Sequence, residues 1–267
     1  MNKQEMLRDY KKPEDKMCLS QVLDKIESSA NRNKIEYTDF LDMYQTALVE
    51  TFLRKNNFQN YKLYGGYEEA ERKILIVYPE KYNEEMLAKN YNKMISILKI
   101  QLPEEEQGKL VHRNYLGGIV KLGLKREKVG DILVSNDGAD IIAKQDFIEI
   151  LKNELPSLTR FKNSIFEEKT LNELRKKEIK IEEIKIIVPS LRLDNIVSDL
   201  AKTSRNKASQ ILASERVFVN GQNETKPSKQ IKQNDIITIR GKGRFVIKDF
   251  VGTTRSGRTV VLVEKYV

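Results

Sequence analysis

The stretch that most constrains the fold of this chain is residues 190–221, SLRLDNIVSDLAKTSRNKASQILASERVFVNG. Its first part has apolar residues at the i, i+3, i+4, i+7, i+8 spacing of one helix face, namely Leu193, Ile196, Val197, Leu200 and Ala201. Ser204 is a good N-cap for a second helix, whose first turn carries Arg205 and Lys207. Because the positive end of a helix disfavours neighbouring cations, this placement indicates a surface that meets an anion.

The positive charge of the chain is concentrated around this stretch. The 267 residues carry a net charge of +9 and are enough for two or three domains. Residues 189–267 hold 15 basic and 7 acidic side chains, a net charge of +8, whereas residues 1–188 hold 33 and 32, a net charge of +1. A basic surplus confined to one module is typical of nucleic-acid binding. An acidic membrane surface is less favoured, because no basic amphipathic helix with bulky apolar anchors accompanies the charge.

The sequence offers little for redox or metal chemistry. Cys18 is the single cysteine, which excludes an internal disulfide and a cysteine-based metal site, and His112 is the single histidine. We therefore expect no metal and no cofactor. The first residues lack the apolar core of a signal peptide and no run is long enough to span a bilayer, so we expect a cytoplasmic protein without a membrane partner.

The periodicity of the remaining chain predicts an α+β protein of three parts. Residues 1–78 are predicted to form a helical region, with Thr38 capping one helix, followed by a β-hairpin around Gly65 and Gly66. Residues 79–180 are predicted to form a small sandwich with helices at 111–122 and 146–155 and a hairpin at 131–143. Residues 160–187, rich in Lys and Glu, are predicted to be a charged connector that leads into the third part. Residues 181–267 are predicted to form two helices, a small sheet and a terminal hairpin.

One segment of the middle part is dense in glycine and polar residues. Gly117 and Gly118 lie inside the predicted helix at 111–122, where each costs roughly 1 kcal/mol relative to alanine, and we interpret them as sites of close packing. The same segment supplies a possible second RNA contact, for which the candidates are His112, Arg113, Lys125 and Arg126. Ordinary surface charge is the alternative interpretation of these four residues.

The C-terminal part supplies the main candidate RNA-binding residues. They lie at predicted helix starts, turns and strand ends, where long basic side chains can converge on a phosphate backbone. The candidates are Arg192, Lys202, Arg205, Lys207, Arg216, Lys226, Lys229, Lys242 and Arg244. Few aromatic residues accompany them, so we expect recognition of backbone and shape and not stacking of single-stranded bases.

Five elements of this part resemble the S4-type RNA-binding domain. They are RLD at 192–194, SRNKA at 204–208, RVFVNG at 216–221, KPS at 226–228 and NDIITI at 234–239. One departure is Glu215, since that domain usually has glycine between its second helix and the next strand. Over nearly the whole chain, the sequence also resembles the YlmH family of bacterial S4-domain proteins. This wider resemblance rests on three further segments, GGYEEAERKILIVYP from residue 65, HRNYLGGIVKLGLKREKVGDI from 112 and RGKGRFVIKDFVGTTRSGRTVV from 240.

The resemblance to this family carries expectations about fold and function. It implies a middle domain similar to the RNA-recognition type of ferredoxin-like sandwich. It also implies a non-enzymatic, ribosome-associated protein that binds ribosomal RNA on the large subunit and acts in rescue or quality control of stalled translation. tRNA is a further candidate partner. The protein is expected to be a monomer.

Two alternatives stay open. The first is an RNA-modifying enzyme targeted by the S4 domain, since Arg192-Leu193-Asp194 partly matches the aspartate motif of pseudouridine synthases, although Leu191 replaces the usual histidine. The second is an interaction protein associated with cell division, as the family's link to cell division implies.

Overall fold

The computed structural model describes residues 3–175 and 181–266 and divides the chain into two compact units. The front unit is Met1–Lys177 and the C-terminal unit is Glu178–Val267. Residues 176–180, which include part of the predicted connector and the predicted boundary at residue 180, lie outside the described residues. The division of the sequence into three domains stays a prediction.

The front unit combines helices with two antiparallel sheets. Its helices are α1 (Lys3–Met6), α2 (Pro13–Arg32), α3 (Met43–Lys55), α4 (Glu84–Ala88), α5 (Tyr91–Met94), α6 (His112–Lys121) and α7 (Gln145–Glu154). Its strands are β1 (Glu36–Tyr37), β2 (Tyr61–Tyr64), β3 (Ile74–Val77), β4 (Ile95–Gln101), β5 (Val129–Ser135), β6 (Gly138–Lys144) and β7 (Ile165–Lys169). The predicted helices and both predicted hairpins of this region are confirmed, with ends that differ by a few residues.

Strand β3 is the centre of the first sheet, whose order is β1-β3-β2. All four of its residues are buried, because both faces of this sheet are covered. Leu75 and Val77 pack against α2 and α3, and Ile74 and Ile76 pack on the opposite side with residues of the second sheet. The unbroken apolar run of this strand therefore reflects burial on two sides.

The second sheet has the ferredoxin-like topology that the resemblance implies. Its elements follow the order β4-α6-β5-β6-α7-β7, and its strands lie in the spatial order β5-β6-β4-β7 with antiparallel neighbours. Helices α6 and α7 pack on one face through Tyr115, Ile119, Ile148 and Leu151. The predicted α+β sandwich is confirmed.

The other face of this second sheet is closed by the first sheet. Ile95, Ile97 and Ile142 have no exposed surface and belong to one apolar cluster with Ile74 and Ile76 of β3. The front unit therefore stacks four layers in the order helix, sheet, sheet, helix.

Helix α3 begins later than the sequence predicts. Asp42, not Thr38, is its N-cap: the Asp42 carboxylate accepts a hydrogen bond from Gln45 N at 2.8 Å, and Gln45 Oε1 accepts one from Asp42 N at 3.0 Å. The Thr38 hydroxyl instead accepts a hydrogen bond from Leu75 N at 3.0 Å, next to β3. The prediction of a Thr38 cap is wrong because a stronger capping box lies one turn further along the chain.

The C-terminal unit packs two helices on a six-stranded antiparallel sheet. Its elements are β8 (Ile181–Val188), α8 (Leu193–Leu200), α9 (Arg205–Ala213), β9 (Val217–Val219), β10 (Gln222–Asn223), β11 (Ile236–Ile239), β12 (Gly243–Thr253) and β13 (Thr259–Tyr266). The strand order is β10-β9-β11-β12-β13-β8. The predicted helices and terminal hairpin are confirmed, and Ser204 caps α9 as expected, with its Oγ accepting from Lys207 N at 3.3 Å.

Both helices of this unit end in the same hydrogen-bonded turn. After α9, Glu215 N donates to Leu212 O at 3.0 Å and Arg216 N donates to Ile211 O at 3.3 Å, the two bonds of a Schellman motif. The turn requires a left-handed residue, and Glu215 supplies it with φ of 57°. This explains why the related domains favour glycine there. Lys202 has the same role after α8, with φ of 50°.

Candidate RNA interface

The first site of the C-terminal unit is built around Asp194 in the first turn of α8. The carboxylate is buried, with 2% of the residue exposed. Arg192 donates to it from Nε and Nη2 at 3.1 and 3.0 Å, and Arg205 donates from Nε and Nη2 at 2.9 and 2.8 Å. Arg192 and Arg205, both predicted to bind RNA and each at the start of a helix, thus share a single carboxylate.

The electrostatics of this cluster fix its protonation state. Burial alone would raise the pKa of Asp194, but hydrogen bonds from Arg192 and Arg205 outweigh it and hold the pKa below its usual value. The carboxylate is therefore ionised at neutral pH and neutralises one of the two guanidinium charges. Because the bonds to Asp194 use Nε and Nη2, the Nη1 group of each arginine is not engaged by Asp194. About a third of the Arg192 side chain and half of the Arg205 side chain are exposed.

The turn at residues 226–229 lies against the start of α8. Lys229 O accepts a hydrogen bond from Leu193 N at 2.8 Å, and Pro227 O accepts one from Asp194 N at 3.1 Å. These carbonyls satisfy two of the free N–H groups of the helix start, so backbone atoms and not an anion cap α8. The same turn carries two further candidates, Lys226 and Lys229, and Lys229 Nζ forms an ion pair with Glu224 at 3.2 Å. We define the helix-side cluster as Arg192, Arg205, Lys207, Lys226 and Lys229.

Two other candidate residues line a separate groove. Lys202 and Lys242 border a groove of about 580 Å³ in the C-terminal unit, together with Lys185 and Lys265. Lys265 forms an ion pair with Glu182 at 3.3 Å, and the floor includes Phe245. Sequence reasoning missed Lys185 and Lys265, which lie on strands that pair side by side only in the folded sheet.

The last two candidates of the C-terminal unit, Arg216 and Arg244, lie by the outer face of the sheet, which is the face away from α8 and α9. Arg216 Nη2 donates to Arg240 O at 2.8 Å, and the Arg244 guanidinium lies 5.1 Å from the ring centre of Tyr266. Arg240 was missed by sequence reasoning, although alternation with buried Ile239 would have assigned it to this face. The predicted set therefore separates into three places on one unit.

The candidates of the front unit differ in their availability. His112, at the start of α6, and the nearby Arg113 are exposed, as is Lys125. Arg126 is engaged within the protein: its Nη1 donates to Val129 O and, at 3.0 Å, to Gly130 O. Burial, with a smaller contribution from the neighbouring Arg72, lowers the pKa of Arg126 to about 10. Arg126 is thus held by hydrogen bonds within the protein, and the RNA contact of all four residues stays a prediction.

Neither metal ligands nor membrane spans are found among the described residues. Residues 3–175 and 181–266 contain no group of three or more His, Cys, Asp or Glu side chains placed to hold a metal ion. Within the same ranges, no helix combines the length and the apolar character that a membrane crossing requires.

Comparison with known proteins gives matches in both units. Residues 89–173 match the model of the putative RNA-binding domain in YlmH, and residues 191–237 match the model of the S4 domain. The chain is 27% identical over 237 residues to the ribosome-associated protein quality control protein P2 of Bacillus subtilis, covering 87% of this chain and 88% of that protein. The solved structure of the cell division protein ylmH from Streptococcus pneumoniae aligns with 62% of this chain and 98% of its own, at 21% identity and a TM-score of 0.48.

The fold of the C-terminal unit, with its basic helix starts, and the match to the S4 model define an S4-domain RNA-binding protein. The front unit is similar, over residues 89–173, to the putative RNA-binding domain in YlmH. Both domain matches and the Bacillus subtilis relative agree with the resemblance of the sequence to the YlmH family of S4-domain proteins.

Proposed function

We propose that this protein binds structured ribosomal RNA on the large ribosomal subunit through its helix-side cluster, and that it acts without catalysis in the rescue or quality control of stalled translation. The name of the Bacillus subtilis relative, over nearly the full length of both chains, supports the ribosomal setting. tRNA is the further partner that a stalled subunit would present, and the cytoplasm is the compartment that this role requires.

The observation that carries the proposal is the shared carboxylate of the helix-side cluster. Asp194 fixes the guanidinium groups of Arg192 and Arg205 side by side while part of each remains exposed. A fixed guanidinium loses less conformational entropy on binding a phosphate than a free side chain does. Lys207 and Lys226 add positive charge to the C-terminal unit, which suits a continuous phosphate backbone, whereas the charge of Lys229 is balanced by Glu224.

The enzymatic alternative places its catalytic group at the same residue. Asp194 would have to act on a nucleotide, but its two oxygens accept four hydrogen bonds from the two arginines and Oδ1 a further one from Asn195 N at 3.0 Å. A carboxylate held in this way is a positioning group for the arginines, which favours a binding role.

The test is RNA binding as a function of salt. The double variant Arg192→Gln, Arg205→Gln in the full chain should bind large ribosomal subunits more weakly in sedimentation at increasing salt. With an isolated RNA hairpin, its log–log slope of affinity against salt should be shallower than that of the unchanged protein by roughly 1.5, since each phosphate contact contributes about 0.7 to 0.9.

A matched control removes the same charge elsewhere. Arg8→Gln with Arg54→Gln takes two arginines from the front unit and should leave the salt slope unchanged. If Arg192 and Arg205 only stabilised the fold, their replacement would lower the free energy of unfolding without changing the slope. An unchanged slope in the folded double variant would refute the assignment of the helix-side cluster.

A further inference from the structure

The outer face of the C-terminal sheet carries a row of side chains that crosses five strands. Asn223 lies opposite Phe218, and Phe218 lies opposite Thr238. Thr238 in turn lies opposite Arg244, which lies opposite Tyr266. Neighbouring strands are about 4.8 Å apart, so the row places Phe218 and Tyr266, three strands apart, at a separation of roughly 14 Å.

The row lies away from the core because successive side chains of a strand point to opposite faces of the sheet. On β9, Val217 and Val219 are buried against the helices while Phe218 is only half-buried. On β12, Phe245 is buried and Arg244 before it is half-buried. Tyr266 is half-buried as well. Phe218 and Tyr266 are therefore not core residues.

Each of the two rings has an arginine beside it. The Arg240 guanidinium carbon lies 4.8 Å from the ring centre of Phe218, and that of Arg244 lies 5.1 Å from the ring centre of Tyr266. Both distances are within the range of a cation–π interaction. The contacts orient two planar cations and two rings on one surface, and bases stack on both kinds of group.

Arginine side chains are concentrated at this end of the outer face. Arg216 donates from Nη2 to Arg240 O at 2.8 Å, so three arginines lie at the ends of neighbouring strands. Acidic character on this face begins one row further along the sheet, where Glu264 forms an ion pair with Lys248 at 3.2 Å. Guanidinium groups bind phosphate oxygens well, and a phosphate backbone that passes between the rings would lie beside these arginines.

We propose that this outer-face row is a binding platform for a short single-stranded RNA segment, distinct from the helix-side cluster. Two bases stack on the Phe218–Arg240 and Arg244–Tyr266 pairs, and Arg216 contacts the backbone phosphates. Single-stranded RNA fits better than a duplex, because the bases of a duplex are stacked on each other and cannot lie on protein rings. The inference rests on the proposed RNA-binding function but uses other residues.

The test compares two RNA probes with the full chain. Fluorescence anisotropy measures affinity for a labelled single strand of about ten mixed nucleotides and for a labelled RNA hairpin. The double variant Phe218→Leu, Tyr266→Leu keeps apolar bulk but removes both rings. It should bind the single strand more weakly by roughly fivefold or more for each ring, while its affinity for the hairpin changes less than twofold.

Three controls separate stacking from structural damage. Tyr266→Phe keeps the ring and should retain single-strand affinity. Phe250→Leu changes an aromatic residue that packs against the core, and it should also retain it. The Arg192→Gln, Arg205→Gln variant should show the opposite pattern, with a larger loss for the hairpin than for the single strand.

Unchanged single-strand affinity in the folded Phe218→Leu, Tyr266→Leu variant would overturn the platform. The platform would also be overturned if the unchanged protein bound the hairpin but showed no measurable binding of the single strand. In that case the proposal for the helix-side cluster would stand. Binding of neither RNA by the unchanged protein would refute both proposals.

Discussion

Replacing Glu215 with glycine should stabilise the C-terminal unit. Glu215 occupies the left-handed position of the turn that ends α9, with φ of 57°, and its backbone is fixed there by hydrogen bonds. Its N–H donates to Leu212 O, and its carbonyl accepts from Asn223 Nδ2 at 2.8 Å. The side chain itself is exposed, so the substitution removes no packed atoms.

The expected magnitude follows from two opposing terms. A non-glycine residue in the left-handed region costs roughly 1–2 kcal/mol, and glycine relieves this cost. Glycine also increases the conformational entropy of the unfolded chain, which takes back roughly 0.4–1 kcal/mol. The net gain in free energy of unfolding is about 0.5–1 kcal/mol. For a unit of this size, such a gain raises the melting temperature by roughly 3–6 °C.

Urea unfolding of the full chain, followed by far-ultraviolet circular dichroism, measures the change. Glu215→Gln is the matched control, because it removes the carboxylate from the negative end of α9 but keeps the strained backbone. Ser214→Gly is the second control: Ser214 has φ of −84°, so glycine brings no relief there and should destabilise. If Glu215→Gly were no more stable than Glu215→Gln, the backbone explanation of this position would be refuted.

Two further predictions concern the front unit. Gly118→Ala should lower the free energy of unfolding by roughly 1 kcal/mol or more, because the added Cβ would lie 2.9 Å from Phe161 Cε2. In the control Gly117→Ala the nearest atom, Arg160 Nη1, would lie at 4.0 Å from the Cβ, so this substitution should raise the free energy of unfolding by about as much through helix propensity. Equal effects of the two substitutions in urea unfolding would contradict this prediction. Cys18 should react slowly with iodoacetamide until the pH approaches 11. The reason is that burial, with smaller contributions from nearby carboxylates, raises the pKa of its thiol to about 11. Fast alkylation of the folded protein at pH 8 would contradict this prediction.

The sequence predicts the C-terminal unit well because its signals are local. The helix spacing around Leu193 and the Ser204 cap each act within a few residues, and each is found where expected. Close packing was predicted for two neighbouring glycines and is found at Gly118 but not at Gly117. The difference depends on Phe161, which is distant in sequence and approaches only one side of α6.

Contacts between distant segments account for what sequence could not supply. Arg192 and Arg205 were predicted from the placement of cations near helix starts, but their common partner, Asp194, is visible only when α8 and α9 pack together. The separation of the nine basic candidates into a helix-side cluster, a groove and an outer face likewise depends on the pairing of β8 with β13 and of β9 with β11.

The closed sheet of the front unit limits how its RNA-binding domain could contact RNA. Domains of the RNA-recognition type stack bases on the sheet face opposite their helices. In this protein that face is occupied, because Ile97 and Ile142 are fully buried against the first sheet. Asp39, in the loop between β1 and α3, also forms an ion pair at 2.8 Å with Lys144, which lies on the same face. Base stacking there would require the two sheets to separate and expose this apolar cluster, which is unfavourable. Any RNA contact of this domain must therefore use its other surfaces, where His112, at the start of α6, is exposed.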